Sequence, residues 1–408
     1  MKWTISAISF AAVSSLFTAP PTFSQDTHSY NGSGSAAETL FEIDMAGLAF
    51  AIEGEAELLA DLDARFRYEN ITDNGRRYGF VLAGRAERDS DRIAFGGNAG
   101  FCPAGQADCP DQPSRGYTSG LQAQAPAERD SGVRAAVTEA FLFLHSGWGE
   151  WRIGYGDGAA RLDEVGGPSA FRTIRADGGR LDPAGVNHAR TENYASGQAP
   201  KLVFRSIALG QRSTIGSFRA SASITPEVGD CGVDFCAFGD GPGPVRSPEP
   251  DWVVELGGLY EVDRGPQEWA FSIGWARSEN ESPIAGVDRL ESLDLGVSWR
   301  RGNWLAGSRW LTSNNAINGD AGYQAYSASV GYEAGPWMTS LEWAAFSDDL
   351  VHADGHTWQV GTSWLGDSWL LGVGLQQVER EVAQFLAGSR SSEATDSTVV
   401  FLEASWRH

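Results

Sequence analysis

Residues 356–377 read HTWQVGTSWLGDSWLLGVGLQQ. One parity of the first half holds Trp358, Val360, Thr362 and Trp364, and the other holds Thr357, Gln359, Gly361 and Ser363. After Gly366 and Asp367 the pattern restarts, with Trp369, Leu371, Val373 and Leu375 against Leu370, Gly372, Gly374 and Gln376. A period of two around a tight turn is a β-hairpin, with one apolar face and one small or polar face.

The same alternation recurs upstream. Trp269, Phe271, Ile273 and Trp275 share one parity; Leu293, Leu295, Val297 and Trp299 share another strand; Trp337, Leu341 and Trp343 mark a third. Short turns fall at 72–75, 146–149, 209–213, 262–266, 300–303, 333–336 and 365–368. Longer connections fall near 89–131, 156–199, 226–250, 279–287, 313–321, 347–355 and 381–395, with one more before Asp61. Seven short turns alternating with eight longer loops predict an all-β fold of sixteen antiparallel strands with both termini on the short-turn side. An even strand number with short turns at one rim and long loops at the other is the layout of a transmembrane β-barrel. The first strand lies within FEIDMAGLAFAIEGEAELLADL, on one side or the other of Gly47.

Tryptophan placement separates a membrane barrel from a soluble sandwich, which alternates too but buries its apolar face. Trp148, Trp151, Trp299, Trp304, Trp337, Trp364, Trp369 and Trp406 all lie close to tight turns or the chain end. Indole favours the boundary between lipid and water, so these residues are read as an aromatic girdle.

Composition agrees. Among 408 residues there are 50 Gly, 15 Trp and 3 Met, a profile that favours short strands and turns over helices. The 53 acidic and 31 basic residues give a formal charge of −22, which argues against a nucleic-acid partner. Residues 1–24 read as a signal peptide: Met1-Lys2, the apolar WTISAISFAAVSSLFTAP, then PTFSQ with cleavage near Ser24. A polar segment follows over 25–44, and the barrel domain is assigned to 45–408. Beyond the leader no apolar run is long enough for a membrane helix. Export to an oxidising compartment pairs Cys102 with Cys109 and Cys231 with Cys236 as local disulfides.

Two stretches carry a family likeness. FLFLHSGWGEWRIGYGDGAARLDEVGG (141–167) resembles the strand, turn, strand and start of the third loop of Gram-negative outer-membrane general porins, especially the alphaproteobacterial trimeric type. TDNGRRYGFVLAGRAERD (72–89) is similar to that family's first short turn and the strand after it. The chain departs from the usual aromatic C-terminus, ending FLEASWRH with Trp406 keeping the strand parity.

The resemblance implies a passive, non-enzymatic diffusion channel for ions and small hydrophilic solutes, a homotrimer in outer-membrane lipid, without cofactor. It further implies a third loop folded into the lumen, where Asp157, Arg161, Asp163, Glu164, Arg172, Arg175, Asp177, Arg180 and Asp182 would form the constriction. Arg65, Arg67, Arg85, Arg205 and Arg219 are the matching wall arginines, and acid on the loop facing base on the wall would set a transverse field. The acidic balance implies mild cation preference, which arginines at the narrowest point would reverse. The glycines of IGYGDGAARLDE (153–164) could also begin a dinucleotide turn, but that site needs a parallel strand and a βαβ unit, and the surroundings read as an antiparallel hairpin.

Other chemistry is weakly signalled. His352 and His356 lie near Asp348, Asp349 and Asp354 in what reads as an external loop, so no metal site is assigned. No G-x-S-x-G or H-E-x-x-H pattern is present. The alternatives are a solute-specific outer-membrane channel and, from another class, a secreted soluble β-rich binding or adhesive protein.

Overall fold

The computed structural model describes residues 36–52, 55–72, 75–88, 98–102, 116–118, 122–124, 133–210, 215–228, 250–280, 286–386 and 389–408. Among them, sixteen antiparallel strands close into a barrel. In chain order these are β1 (Ala36–Ile52), β2 (Glu55–Ile71), β3 (Arg77–Arg88), β4 (Arg134–Ser146), β5 (Gly149–Gly156), β6 (Ala199–Ser206), β7 (Ser217–Glu227) and β8 (Pro250–Arg264). The circuit continues with β9 (Gln267–Asn280), β10 (Glu291–Arg301), β11 (Trp304–Ser313), β12 (Tyr323–Ala334), β13 (Trp337–Asp348), β14 (Ala353–Leu365), β15 (Trp369–Leu386) and β16 (Ser389–Arg407). Each strand pairs with its sequence neighbours, and β16 returns to β1 through Asp44↔Arg407 to Ile52↔Val399. A short parallel pair, Asn98–Cys102 with Gln122–Gln124, lies within the second long loop. The single helix among the described residues is Ala159–Leu162.

The barrel is apolar outside and polar inside. On β14, Trp358 and Val360 are 46% and 44% exposed while Thr357, Gln359 and Ser363 are buried. Leu142, Ile153, Ile273, Leu295 and Leu371 are likewise exposed, whereas Glu255, Asp294, Glu342 and Glu403 are buried. In water such an outer face would be unfavourable; against lipid tails it is what a spanning strand requires. At the short-turn rim, Trp148, Trp151, Trp304, Trp337, Trp364 and Trp369 are exposed, and Trp299 is half-buried. Trp406 pairs with Trp369 at the same rim and is buried, with His408 stacked on its ring at 5.6 Å and 3°.

Three boundaries differ from the sequence reading. The barrel begins at Ala36, inside the segment read as polar, because LFEID alternates and pairs with β2 from Leu40↔Arg67 to Asp44↔Asp63. The first strand runs across Gly47 instead of stopping beside it; Gly47 pairs with Ala60 and Ala404. Most of 381–395, expected as a long loop, is strand, since β15 and β16 stay in register out to Leu386↔Ser389. The proposed leader (1–24) and Cys109, Cys231 and Cys236 lie outside the described residues, and of Cys102 only the backbone is described.

The outer assignment is testable. Ile273→Arg on β9 is expected to destabilise the barrel by about 2–4 kcal/mol if the residue sits near mid-bilayer. Urea unfolding from lipid vesicles, followed by tryptophan fluorescence, measures this; unchanged stability would contradict a lipid-facing β9.

Candidate functional site: the inward loop and its wall

Between β5 and β6 the chain leaves the wall for 157–198, the third long loop, here L3. Gly154 takes φ 138°, and its hydrogen side faces the Ala140 carbonyl of β4. Gly158 lies against the Glu255 carboxylate and Ser196, where a methyl group would collide with both. These glycines let the strand bend inward and press its backbone against the opposite wall.

L3 then runs along the lumen in contact with strand after strand. The Ala159 N–H donates to Ser223 on β7 (2.9 Å), Val165 N–H to Ser272 on β9 (3.0 Å) and Ala170 N–H to Ser340 on β13 (2.9 Å). Ser329 on β12 donates to the Pro168 carbonyl (2.8 Å). Gln359 and Gln376, on β14 and β15, donate to the carbonyls of Ile174 and Arg175 (3.2 Å each). Glu403 on β16 accepts the N–H groups of Arg172 (3.0 Å) and Thr173 (3.1 Å) and the Thr173 hydroxyl (2.7 Å). On the returning half, Ser196 N–H donates to Glu255 (3.0 Å), and the Asn193 side chain donates to Asp294 (2.8 Å). Wall glycines make the approach possible: a methyl at Gly257, Gly296 or Gly307 would strike the carbonyls of Ala159, Val165 or Gly166.

Apolar packing completes the docking. Phe171 inserts between Gly361, Gly372 and Gly374 and meets Phe401 edge-on at 4.7 Å. It belongs to a buried cluster with Leu48, Phe50, Ile174, Leu181 and Val399. Hence the inner face of β1 and β16 carries large apolar residues where L3 rests on it.

The charged residues singled out above fall into three groups. Arg161 bridges Asp157 (2.9 Å) and Glu192 (3.0 Å) and lies 3.7 Å over the Tyr194 ring. Asp163 is clasped by Arg205 (3.0 Å) and Arg219 (3.5 Å) from the wall, and Glu164 by Arg309. Arg161 is thus paired within the loop, whereas Asp163 and Glu164 meet arginines on the wall. Arg175 instead pairs with Asp177 inside the loop (3.0 Å), and Asp177 also accepts from Ser327 (2.7 Å) and Thr191 (2.8 Å).

At the loop tip the expected polarity is reversed. Arg180 of the loop pairs with the wall carboxylates Asp61 (3.0 Å) and Asp63, and Arg85 on β3 bonds Asp61 and donates to the Arg180 carbonyl (3.1 Å). Arg172 reaches Asp44 at 3.8 Å. Arg85 therefore ties down the loop instead of facing an acidic loop across open water. Arg65 and Arg67 pair with wall carboxylates, Glu139 (3.1 Å) and Glu69 (2.7 Å).

Arg309, Glu192, Phe171 and the wall carboxylates Glu255 and Glu403 were not among the residues expected to matter. For Arg309 the signal available was a lone ionisable residue within an apolar and small-residue strand, WLAGSRWLTS. His356, read as a loop residue, is on β14 and lies 3.4 Å from Glu379; His352 occupies the preceding turn at φ 47°. Among the described residues no group of three His, Cys, Asp or Glu is arranged to hold a metal.

The sequence profile of the Gram-negative porins matches residues 9–402. The chain belongs to the Gram-negative porin family. Solved porins share the barrel: one refined at 1.8 Å is 13% identical with TM-score 0.53, covering 91% of this chain and 100% of its own. The anion-selective porin from Comamonas acidovorans is 16% identical with TM-score 0.52 and covers 92% and 100%. The trimer form of OmpT from Vibrio cholerae is 10% identical with TM-score 0.54 and covers 91% and 100%. No curated protein sequence matches the chain. Family and barrel together are those of an outer-membrane channel, a class without catalytic chemistry.

Burial raises the carboxyl of Asp182 to about 6, against N–H donors from Asn187, Gly185 and Ala184. Its folded value thus exceeds the unfolded one of about 3.9. Between these values the docked loop holds a proton that the free loop releases, so the contribution of Asp182 to docking weakens as pH rises from about 4 to about 6. Hydrogen exchange over 175–190, corrected for intrinsic rates, is expected to show more protection at pH 5 than at pH 7, and Asp182→Asn to reduce the difference.

Removing the cation at 309 gives a second test. Arg309→Met leaves Glu164 and Glu192 without their shared partner, an expected loss of about 3–5 kcal/mol for a buried pair broken on one side. Protease cleavage within 157–198, absent in the parent protein, is the expected readout.

Proposed function

We propose that the protein is a passive diffusion channel of the Gram-negative outer membrane, through which ions and small hydrophilic solutes pass beside L3. The observation that carries the reading is a loop fastened inside a sixteen-stranded barrel by ion pairs to the wall, Asp163 with Arg205 and Arg219 foremost. A sixteen-stranded barrel is wide enough for an aqueous lumen, so selectivity falls to whatever narrows it.

In this reading the named charges of L3 and the wall set the field at the constriction. Acid on the loop beside base on the wall aligns polar solutes, while apolar solutes lose hydration without compensation. The chain is exported by residues 1–24 and assembles as a homotrimer, a state named for the OmpT barrel of similar fold. The exposed Leu, Ile and Trp of the outer face oppose the rival reading of a soluble secreted binding protein.

Purified protein added to planar bilayers is expected to give stepwise, ohmic conductance increments. Compact, heat-sensitive mobility in detergent gels would accompany them. Absence of ion steps from protein that keeps that mobility would overturn the channel reading.

A further inference from the structure

The second long loop, here L2, joins β3 to β4 but is fixed far from both. Its residues 116–118 lie beyond the end of β11, against the loop that leads to β12. β12 is eight strands from β4 in a barrel of sixteen, which is the opposite side of the mouth. The contact is specific. The Tyr117 N–H donates to the Asn315 carbonyl (3.1 Å), the Thr118 N–H donates to Asn315 Oδ1 (3.1 Å), and the Thr118 and Ser313 hydroxyls share a hydrogen bond (2.6 Å). Tyr117 also packs on a buried apolar cluster: Ala195 of L3, Val253 and Ala276 on the inward parity of β8 and β9, and the loop residues Leu290 and Ala316.

The receiving rim is held in place before L2 is considered. Asn315 is wholly buried, and its Nδ2 donates to the Ala321 carbonyl (2.9 Å) while both of its oxygens are taken by L2. Asn315 and Ala316 take φ 54° and 57°, a left-handed turn that residues other than glycine keep only where their surroundings hold it. Those surroundings are the neighbouring loop. Asp288 N–H donates to the Ala316 carbonyl (2.9 Å), Asn318 N–H to that of Gly286 (2.9 Å), and the Asn314 side chain to that of Arg289 (2.8 Å). A further fixed point is Asn98–Cys102, which lies against β15, four strands from β3 in the other direction. Chain continuity thus carries L2 from one side of the long-loop mouth to the other and back. Because Tyr117 rests on inward-facing residues and on L3, the crossing is over the lumen and not round the outside of the rim.

We propose that L2 is a strap across the long-loop mouth, with Tyr117 and Thr118 as positioning residues that seat it on Asn315, and that it limits the size of solute entering the space above L3. The proposal rests on the channel reading above and adds to it a filter that is independent of charge.

The test is exclusion of neutral polyethylene glycols of graded mass, added to one side at a time of planar bilayers holding the full-length protein. A polymer that enters lowers the conductance, and one that is excluded does not. Tyr117→Ala/Thr118→Ala removes the packing and the hydroxyl contact. It is expected to raise the mass limit from one side about two- to fourfold, since coil width grows as the square root of chain length and a freed mouth admits coils up to about twice as wide. The limit from the other side should stay parental. Thr118→Ser, which keeps the hydroxyl, should leave both limits parental. If the alanine variant does not fold, Ser313→Ala/Asn315→Gly loosens the seat from the rim, with glycine retaining the left-handed turn, and should give the same one-sided rise. Parental limits in a folded double variant overturn the proposal, as does an equal rise from both sides, which would place the change at L3; either leaves the channel reading intact. Absence of ion steps from the parent protein overturns both.

Discussion

The structure depends on how a loop of some forty residues, 157–198, satisfies its backbone inside a barrel. A non-helical segment at membrane depth is tolerated only where protein or water meets its polar groups. Here the wall meets them. Serines on β7, β9, β12 and β13 and carboxylates on β8 and β16 take or give the hydrogen bonds, and glycines at 257, 296 and 307 bring the two backbones into contact. The polar parity of each strand is thus a complement to one particular loop path, not merely a hydrophilic lining.

That complementarity explains why the lumen has two kinds of surface. Where L3 rests, the wall offers glycines, serines and buried carboxylates, and around Phe171, Leu48, Phe50 and Phe401 the barrel acquires an internal apolar core. Where L3 departs, on β4 and β5, the inward residues are large, and arginines cover phenylalanines. The outer face obeys one rule throughout, because lipid makes no local distinctions beyond depth. The inner face obeys two, because its neighbour is either a loop or water.

This division also marks what the sequence makes legible. The outer parity announces itself in runs such as Trp369, Leu371, Val373 and Leu375, and with the turn spacing it leads to sixteen strands. The GYGDGAARLDE segment shows where the chain leaves the wall. The destination of the loop is less visible, since Glu403 and Arg309 become partners of L3 only through contacts 231 and 145 residues apart in sequence. Gly361, Gly372 and Gly374 read as ordinary small lumen residues until Phe171 is seated on them. Phe141 and Phe143 sit inside FLFLH, where both parities are apolar and alternation assigns no inner face. Likewise β15 and β16 continue beyond 381 because Glu381↔Ala394 and Gln384↔Ser391 keep pairing after the apolar pattern has ended.

Charge follows the same logic of position over composition. A net charge is a sum over the whole molecule, but at physiological salt a charge in solvent is screened beyond about 8 Å. Acidic residues on surface loops therefore contribute little at mid-barrel, where low-dielectric walls concentrate the field of nearby groups. What matters there is the order of the layers. Asp163 is nearly inaccessible beneath Arg205 and Arg219, and Glu69 lies beneath Arg67. At these pairs the arginine is more exposed than the carboxylate that holds it, so the sign of a local surface does not follow from the sign of the whole chain. The buried carboxylates still act, because charge-assisted hydrogen bonds fix the guanidiniums in place.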